Sequence, residues 1–235
     1  EQMHRSLSRL AALPGDSPAA ERNKQPILDV LQGLLPARGH ALEIASGTGQ
    51  HAAWFAAHLP DWTWQPTDPQ PQAIDAIAAR RAAQPLGNLH APVQLDVLAP
   101  SWLDAGARYD LIYCANMLHI SPWATCAALM HGGARHLAPF GRLVTYGPYL
   151  EDGIVTSEGN LAFDQSLRAR NPAWGIRRRE DVEAQAALAG LRLAARHAIP
   201  ANTLLLVRVR AGAARRRRPP RGPAAQGSQA QGERG

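Results

Sequence analysis

The sequence predicts an α/β fold, a seven-stranded and mostly parallel sheet with helices on both faces. Strand-like apolar runs alternate with helical segments along most of the chain, the pattern of parallel strands joined by crossover helices. The first run ends in a glycine turn, Ser46-Gly47-Thr48-Gly49, that leads directly into a helix. The last two strand-like segments follow one another with no helix between them, so one strand enters antiparallel.

Each element has its own signal. A helix over Pro18–Leu35 places Ile27, Leu28, Leu31 and Leu34 on one face, with Ser17 as cap and Pro18 in the first turn. Strand one is Ala41–Ala45, followed by the glycine turn and a helix through Leu59. Strand two, Trp62–Thr67, ends at Asp68; a helix over Gln70–Ala82 leads to strand three at Pro92–Leu95. Strand four, Tyr109–Ala115, is the clearest apolar run. A helix over Trp123–His136 passes through the turn Pro139-Phe140-Gly141 into strand five, Arg142–Tyr146. The stretch 147–177 is long for a connection and reads as irregular, either a lid or an active-site insert. A helix over Glu180–Ala189 and strands at Leu191–Ala198 and Thr203–Val209 complete the sheet.

A chain of 235 residues with 46% apolar content can bury one substantial core without disulfide staples. Its organisation reads as a flexible extension over 1–16, one domain over 17–210, and a disordered tail over 211–235. The extension carries Arg5 and Arg9 but lacks the apolar stretch of a secretory signal. No apolar run reaches the length of a membrane span. The two cysteines, Cys114 and Cys126, are too few for a disulfide framework and lack metal-ligand spacing, so a reducing, cytoplasmic setting and no metal are expected. Of the net charge of +6, +5 belongs to the tail, where Arg215 to Arg218, Arg221 and Arg234 face only Glu233. With its Pro, Gly and Gln content that tail is expected to stay unfolded, and any nucleic-acid contact is expected through it alone.

The glycines by themselves do not choose a ligand, since Gly47-x-Gly49-x-x-Ala52 also satisfies a dinucleotide fingerprint. The acids around them do. Glu43, four residues before Gly47, would oppose a pyrophosphate but suits an ammonium group. Asp68 follows strand two and, as an acceptor-only group, can take two ribose hydroxyls. Asp96 follows strand three, where an adenine amine would need an acceptor. Three acids at the carboxyl ends of three successive strands fit the switch-point crevice of such a sheet.

Glu43-x-x-x-Gly47-x-Gly49 is similar to motif I of the class I S-adenosylmethionine-dependent methyltransferases. More narrowly, the chain resembles the DUF938 group, which includes methyltransferase-like protein 26. Four stretches carry that resemblance: Ala20–Leu28, Leu42–His51, Cys114–Trp123 and Asn171–Arg177. It spans about residues 17–210 and implies a Rossmann-like fold with S-adenosylmethionine held by Glu43, Gly47, Gly49, Asp68 and Asp96. Ala45, Ser46, Thr48, His51, Val97 and Asn116 join the expected cofactor set.

For the chemistry, strand four ends in Asn116-Met117-Leu118-His119, where a reactive methyl would lie. His119 can act as a base or simply pack at a helix start. Asn116 can orient cofactor or acceptor, or form a turn. Tyr146 is a third catalytic candidate and also a plausible core residue; Tyr149 would wall the acceptor site. His51 is expected to stay neutral and shape the cofactor pocket. Arg22, Asn23 and Lys24, with Asn160, Asp164, Arg168, Trp174 and Arg177, are read as a polar cluster closing over the pocket. Its cations would favour an acidic or polar small acceptor, while Arg177-Arg178-Arg179 otherwise reads as a solvated turn. A small-molecule methyltransferase is the favoured function. An RNA or protein methyltransferase, a nicotinamide oxidoreductase and a non-catalytic cofactor-binding protein are the alternatives.

Overall fold

A computed structural model of the chain describes residues 16–212. The expected extension, but for Asp16, and the Arg-rich tail, but for Ala211 and Gly212, lie outside the described residues. Among the described residues six α-helices and seven strands follow one another as α1 (Pro18–Leu34), β1 (Gly39–Ile44), α2 (Gln50–His58), β2 (Trp62–Asp68), α3 (Pro71–Ala83), β3 (Val93–Gln94), β4 (Tyr109–Ala115), α4 (Ala124–His136), β5 (Leu137–Gly147), α5 (Glu158–Arg170), α6 (Arg179–Leu188), β6 (Leu191–Ile199) and β7 (Thr203–Arg210). One sheet runs β3-β2-β1-β4-β5-β7-β6. Strand β7 is antiparallel to both its neighbours and the remaining pairs are parallel. The order reverses between β1 and β4, so the carboxyl ends of these two strands open a crevice.

The central strands are nearly continuous apolar runs because both faces are covered. On one face Ile27 and Leu31 of α1 meet Phe55 of α2, Trp64, Tyr113 and Val207. Phe55 meets Tyr113 edge-on at 5.5 Å and Trp64 at 5.4 Å. On the other face Leu42, Ile112 and Leu206 pack under Leu129 and Met130 of α4 and Val182 of α6. Burying each such side chain stabilises the fold by roughly 1.5–3 kcal/mol.

Two expectations change. Strand β5 begins at Leu137, and the expected turn 139–141 is a bulge within it: Tyr109 pairs with Leu137, but Leu111 pairs with Arg142. Pro139 has no amide hydrogen to give the ladder, and Phe140 stands 90% exposed. The stretch 147–177 is not irregular throughout, since α5 occupies its middle. Ser157 caps that helix by accepting from the Asn160 amide at 3.1 Å, and Glu158 lies in its first turn. Only Leu167 of this helix is fully buried, so its apolar period is faint in the sequence.

Candidate active site

The glycine turn is fastened from three sides. The Ser46 amide donates to Thr67 O at 2.8 Å, and Ser46 Oγ accepts from the Thr67 amide at 3.1 Å. Asp68 Oδ2 accepts from the Gly47 amide at 3.0 Å, and its Oδ1 from Gln70 at 2.9 Å. Buried Arg80 of α3 donates through Nε to Thr48 O at 3.0 Å and pairs with Asp16, tying the chain before α1 to the turn. Gly47 has φ 58° and a Cβ there would meet nothing within 4 Å, so this backbone faces open space. Gly49, at φ 78°, caps α2 with its backbone.

Two non-glycine residues beside the crevice adopt the left-handed conformation: Ala45 (φ 54°) just after β1 and Asn116 (φ 57°) just after β4. Such geometry costs on the order of 1 kcal/mol or more per residue and concentrates at sites that need an exposed backbone. Glu43 is buried, and its Oε1 has no hydrogen-bond partner. Burial pushes its carboxyl up to about 8, against the opposing pull of the Ser46 and Trp64 side chains. Asp96 is exposed after β3, where its Oδ1 accepts from the Leu98 amide at 2.9 Å. Val97, beside it, is instead a buried core residue.

Behind the turn runs a buried polar chain. His51 Nε2 lies 2.9 Å from Asn23 Oδ1 and 3.3 Å from Ala20 O, both acceptors, so this nitrogen carries the hydrogen. Nδ1 is then the acceptor for the Tyr113 hydroxyl at 3.2 Å. Burial holds the His51 pKa down at about 4, so the ring is neutral as expected, through desolvation above all. Asn23 Nδ2 donates to the Tyr146 hydroxyl at 3.1 Å, which in turn lies 2.9 Å from Thr203 Oγ1. The chain links α1, α2, β4, β5 and β7. Asn23 and Tyr146 thus brace the scaffold, and Tyr113 and Thr203 are partners that the sequence did not single out.

Asn116 and His119 converge on Gly147, at the adjacent ends of β4 and β5. A Cβ on Gly147 would lie 3.6 Å from both Asn116 Oδ1 and His119 Nδ1. His119 is buried and its pKa is lowered to about 4, by burial first and by Arg177 second. Among the described residues its ring has no hydrogen-bond partner; its one ring contact is the edge of Phe163 at 5.6 Å. Tyr149 turns to the opposite face from Tyr146, with its hydroxyl 2.8 Å from Thr145 Oγ1.

The expected lid cluster divides. Arg177 is no solvated turn residue: it donates to Leu118 O (3.0 Å), Ser121 O (2.8 Å) and Ala173 O (2.8 Å), clamping the short turn that carries His119. Arg178 pairs with Asp152 and Asp181, and Arg179 with Glu151 at 2.7 Å. Asp164 accepts from the Ile176 amide at 2.8 Å and from Arg168 at 3.0 Å, and Asn160 donates to Asn202 O at 2.9 Å. Lys24 pairs with Glu21 at 2.5 Å and lies over Trp54. Arg22 is exposed, and Trp174 stands beside Arg170, while the next residue, Gly175, donates its amide to His119 O at 3.0 Å.

This strand order with six flanking helices is the class I methyltransferase form of the Rossmann-like fold. An O-methyltransferase family protein from Burkholderia thailandensis superposes with a TM-score of 0.67 at 22% identity, covering 82% of this chain and 57% of the other. Mitomycin 7-O-methyltransferase MmcR gives 0.69 at 14%, covering 82% and 54%. CalO1, a methyltransferase of calicheamicin biosynthesis solved in its SAH-bound form, gives 0.63 at 17%, covering 86% and 63%. At these identities the likeness is one of fold, and the chain spans little more than half the length of these proteins. The chain belongs to the DUF938 family, described as a protein of unknown function, whose pattern matches residues 15–210. Among the described residues no helix is long and apolar enough to cross a membrane.

Proposed function

We propose that this chain is an S-adenosylmethionine-dependent methyltransferase acting on a small-molecule hydroxyl. The observation that carries the reading is the buried, unpartnered Oε1 of Glu43, on the strand that leads into the glycine turn. An orphaned carboxylate oxygen costs stability until a donor reaches it, and an amino-acid ammonium is the donor that suits it. The open face of Gly47 admits a ligand against the backbone, Asp68 retains lone pairs for ribose hydroxyls, and exposed Asp96 can take an adenine amine. A nicotinamide dinucleotide would instead bring its pyrophosphate to Glu43 and Asp68, an unfavourable pairing.

S-adenosylmethionine, held by Glu43, Gly47, Asp68 and Asp96, would supply an electrophilic methyl on a sulfonium, which would leave as the neutral thioether, keeping the S–C electron pair, when an acceptor oxygen takes the methyl. Asn116 orients the reactants at the crevice, and His119 takes the acceptor's proton at Nδ1. A base with a pKa near 4 suffices. As the C–O bond forms, the hydroxyl proton becomes that of a protonated ether, far more acidic than imidazolium. Tyr146, its hydroxyl engaged with Asn23 and Thr203, positions strands and takes no part in the proton transfer.

Calorimetric titration with S-adenosylmethionine, S-adenosylhomocysteine and NADH in parallel tests the cofactor. Binding of the two adenosyl ligands alone, lost in Glu43→Ala, is the expected result. Binding of NADH alone would overturn it.

A further inference from the structure

We infer that the acceptor is a neutral, largely apolar hydroxylated molecule about the size of two fused rings, bound between residues 151–160 and the β6–β7 hairpin. This rests on the methyltransferase reading above and names the substrate class that the same site takes.

A cavity of about 360 Å³ lies there, in the range that holds a small organic ligand. Ile154, Val155, Ile199 and Leu204 supply its apolar lining, while Ser157 and Asn202 offer hydrogen bonds. Tyr149 is the wall it shares with a second cavity, of about 10 Å³, lined by His119 and Gly147. That smaller space admits one water-sized group. In this reading the ring occupies the larger cavity and the hydroxyl points past Tyr149 toward His119, where the smaller space has no room for a ring.

Charge sets the class. The two ionic side chains at the cavity, Glu151 and Arg196, neutralise one another at 2.5 and 2.9 Å, and Glu151 is also held by Arg179 at 2.7 Å. None of the cations that the sequence suggested for an acidic acceptor lines this cavity: Arg168 is on Asp164, Lys24 on Glu21, Arg177 on three carbonyls beside the smaller cavity, and Arg22 is exposed on α1. A carboxylate entering this cavity would lose its hydration without gaining an uncommitted cation. The lip is apolar and unsatisfied. Val155 is 95% and Ile154 55% exposed, on a segment without regular structure, so both gain burial when a ring fills the cavity.

The test is the binding of 2-naphthol, followed by its own fluorescence, to the full chain with S-adenosylhomocysteine present, against its anionic analogue 3-hydroxy-2-naphthoate. The expected result is saturable naphthol binding, with the naphthoate at least about tenfold weaker. Val155→Asp, at a position exposed enough to leave folding intact, should weaken naphthol about tenfold without altering adenosyl-ligand affinity. No naphthol binding, equal or tighter binding of the naphthoate, or indifference to Val155→Asp would each overturn the inference. Failure of the methyltransferase reading shows separately, as loss of adenosyl-ligand binding in the calorimeter.

Discussion

Asp68 Oδ2 accepts the amide hydrogen of Gly47 at 3.0 Å, so the acid that ends β2 also holds the turn that follows β1. Its second oxygen accepts from Gln70 at the start of α3. The residue expected to take the ribose is thus already part of the cradle's framework. Asp68→Ala should weaken S-adenosylmethionine binding by about 1.5–3 kcal/mol and lower the melting temperature as well, because the turn loses its latch. Calorimetry and thermal melting of the same variant read the two effects. Unchanged affinity in a folded variant would remove Asp68 from the site.

Glu43 makes both binding and stability depend on pH. With a folded pKa of about 8 it is largely protonated at neutrality, and an ammonium ligand needs the carboxylate. Affinity should therefore rise as pH increases from 6 to 8, with release of up to ~1 proton per ligand near pH 7. Calorimetry in buffers of different ionisation enthalpy measures that proton. For the free protein the raised pKa means that stability present below the ordinary value of 4.5 is lost as pH climbs through about 8. Glu43→Gln lacks this fall, so its melting temperature should gain on the parent as pH rises from 5 to 9. Each kcal/mol of difference would appear as roughly 2–4 °C.

His119 should leave no titration near 6.5 in the rate. At saturating cofactor, turnover should hold level down to about pH 5 and fall as the ring protonates near 4. His119→Ala should lower turnover by about 10²–10⁴-fold while sparing cofactor affinity. A rate profile breaking near 6.5, and keeping that break in the variant, would exclude His119 as the base.

The Asn23 amide serves His51 and Tyr146 together. Asn23→Ala takes one partner from each of two buried polar groups, leaving them Ala20 O and Thr203 Oγ1, and should cost about 1–3 kcal/mol. In a double-mutant cycle with Tyr146→Phe, the two losses should add to more than the loss in the double variant, since they share one bond. Denaturant unfolding of the four proteins checks it. Strict additivity would separate the two residues energetically.

Strand β4 and the glycine turn were legible because the information is local: an apolar run of strand length, then two glycines before a helix. Glu43 was legible because an acid inside an apolar strand demands a partner. Tyr113 and Thr203 were not, since Thr203 meets Tyr146 across 57 positions and nothing in either neighbourhood marks the pair. The role of Arg177 was hidden by its setting in a run of three arginines, where only the folded chain brings Leu118 O and Ser121 O within reach. Helix α5 escaped for the opposite reason: its cap is a good one, but its exposed Leu161 and half-exposed Phe163 blur the period.

The bulge in β5 has a practical use. Phe140 stands out from the amino ends of the strands, and the seven residues to Gly147 put it roughly 20 Å from the crevice. Both cysteines are buried, and burial raises each thiol, that of Cys126 to about 11. Phe140→Cys would accordingly supply the one readily alkylated thiol in the chain. A fluorophore coupled there would report ligand binding by its own anisotropy, leaving the chemistry at the far end of the sheet undisturbed.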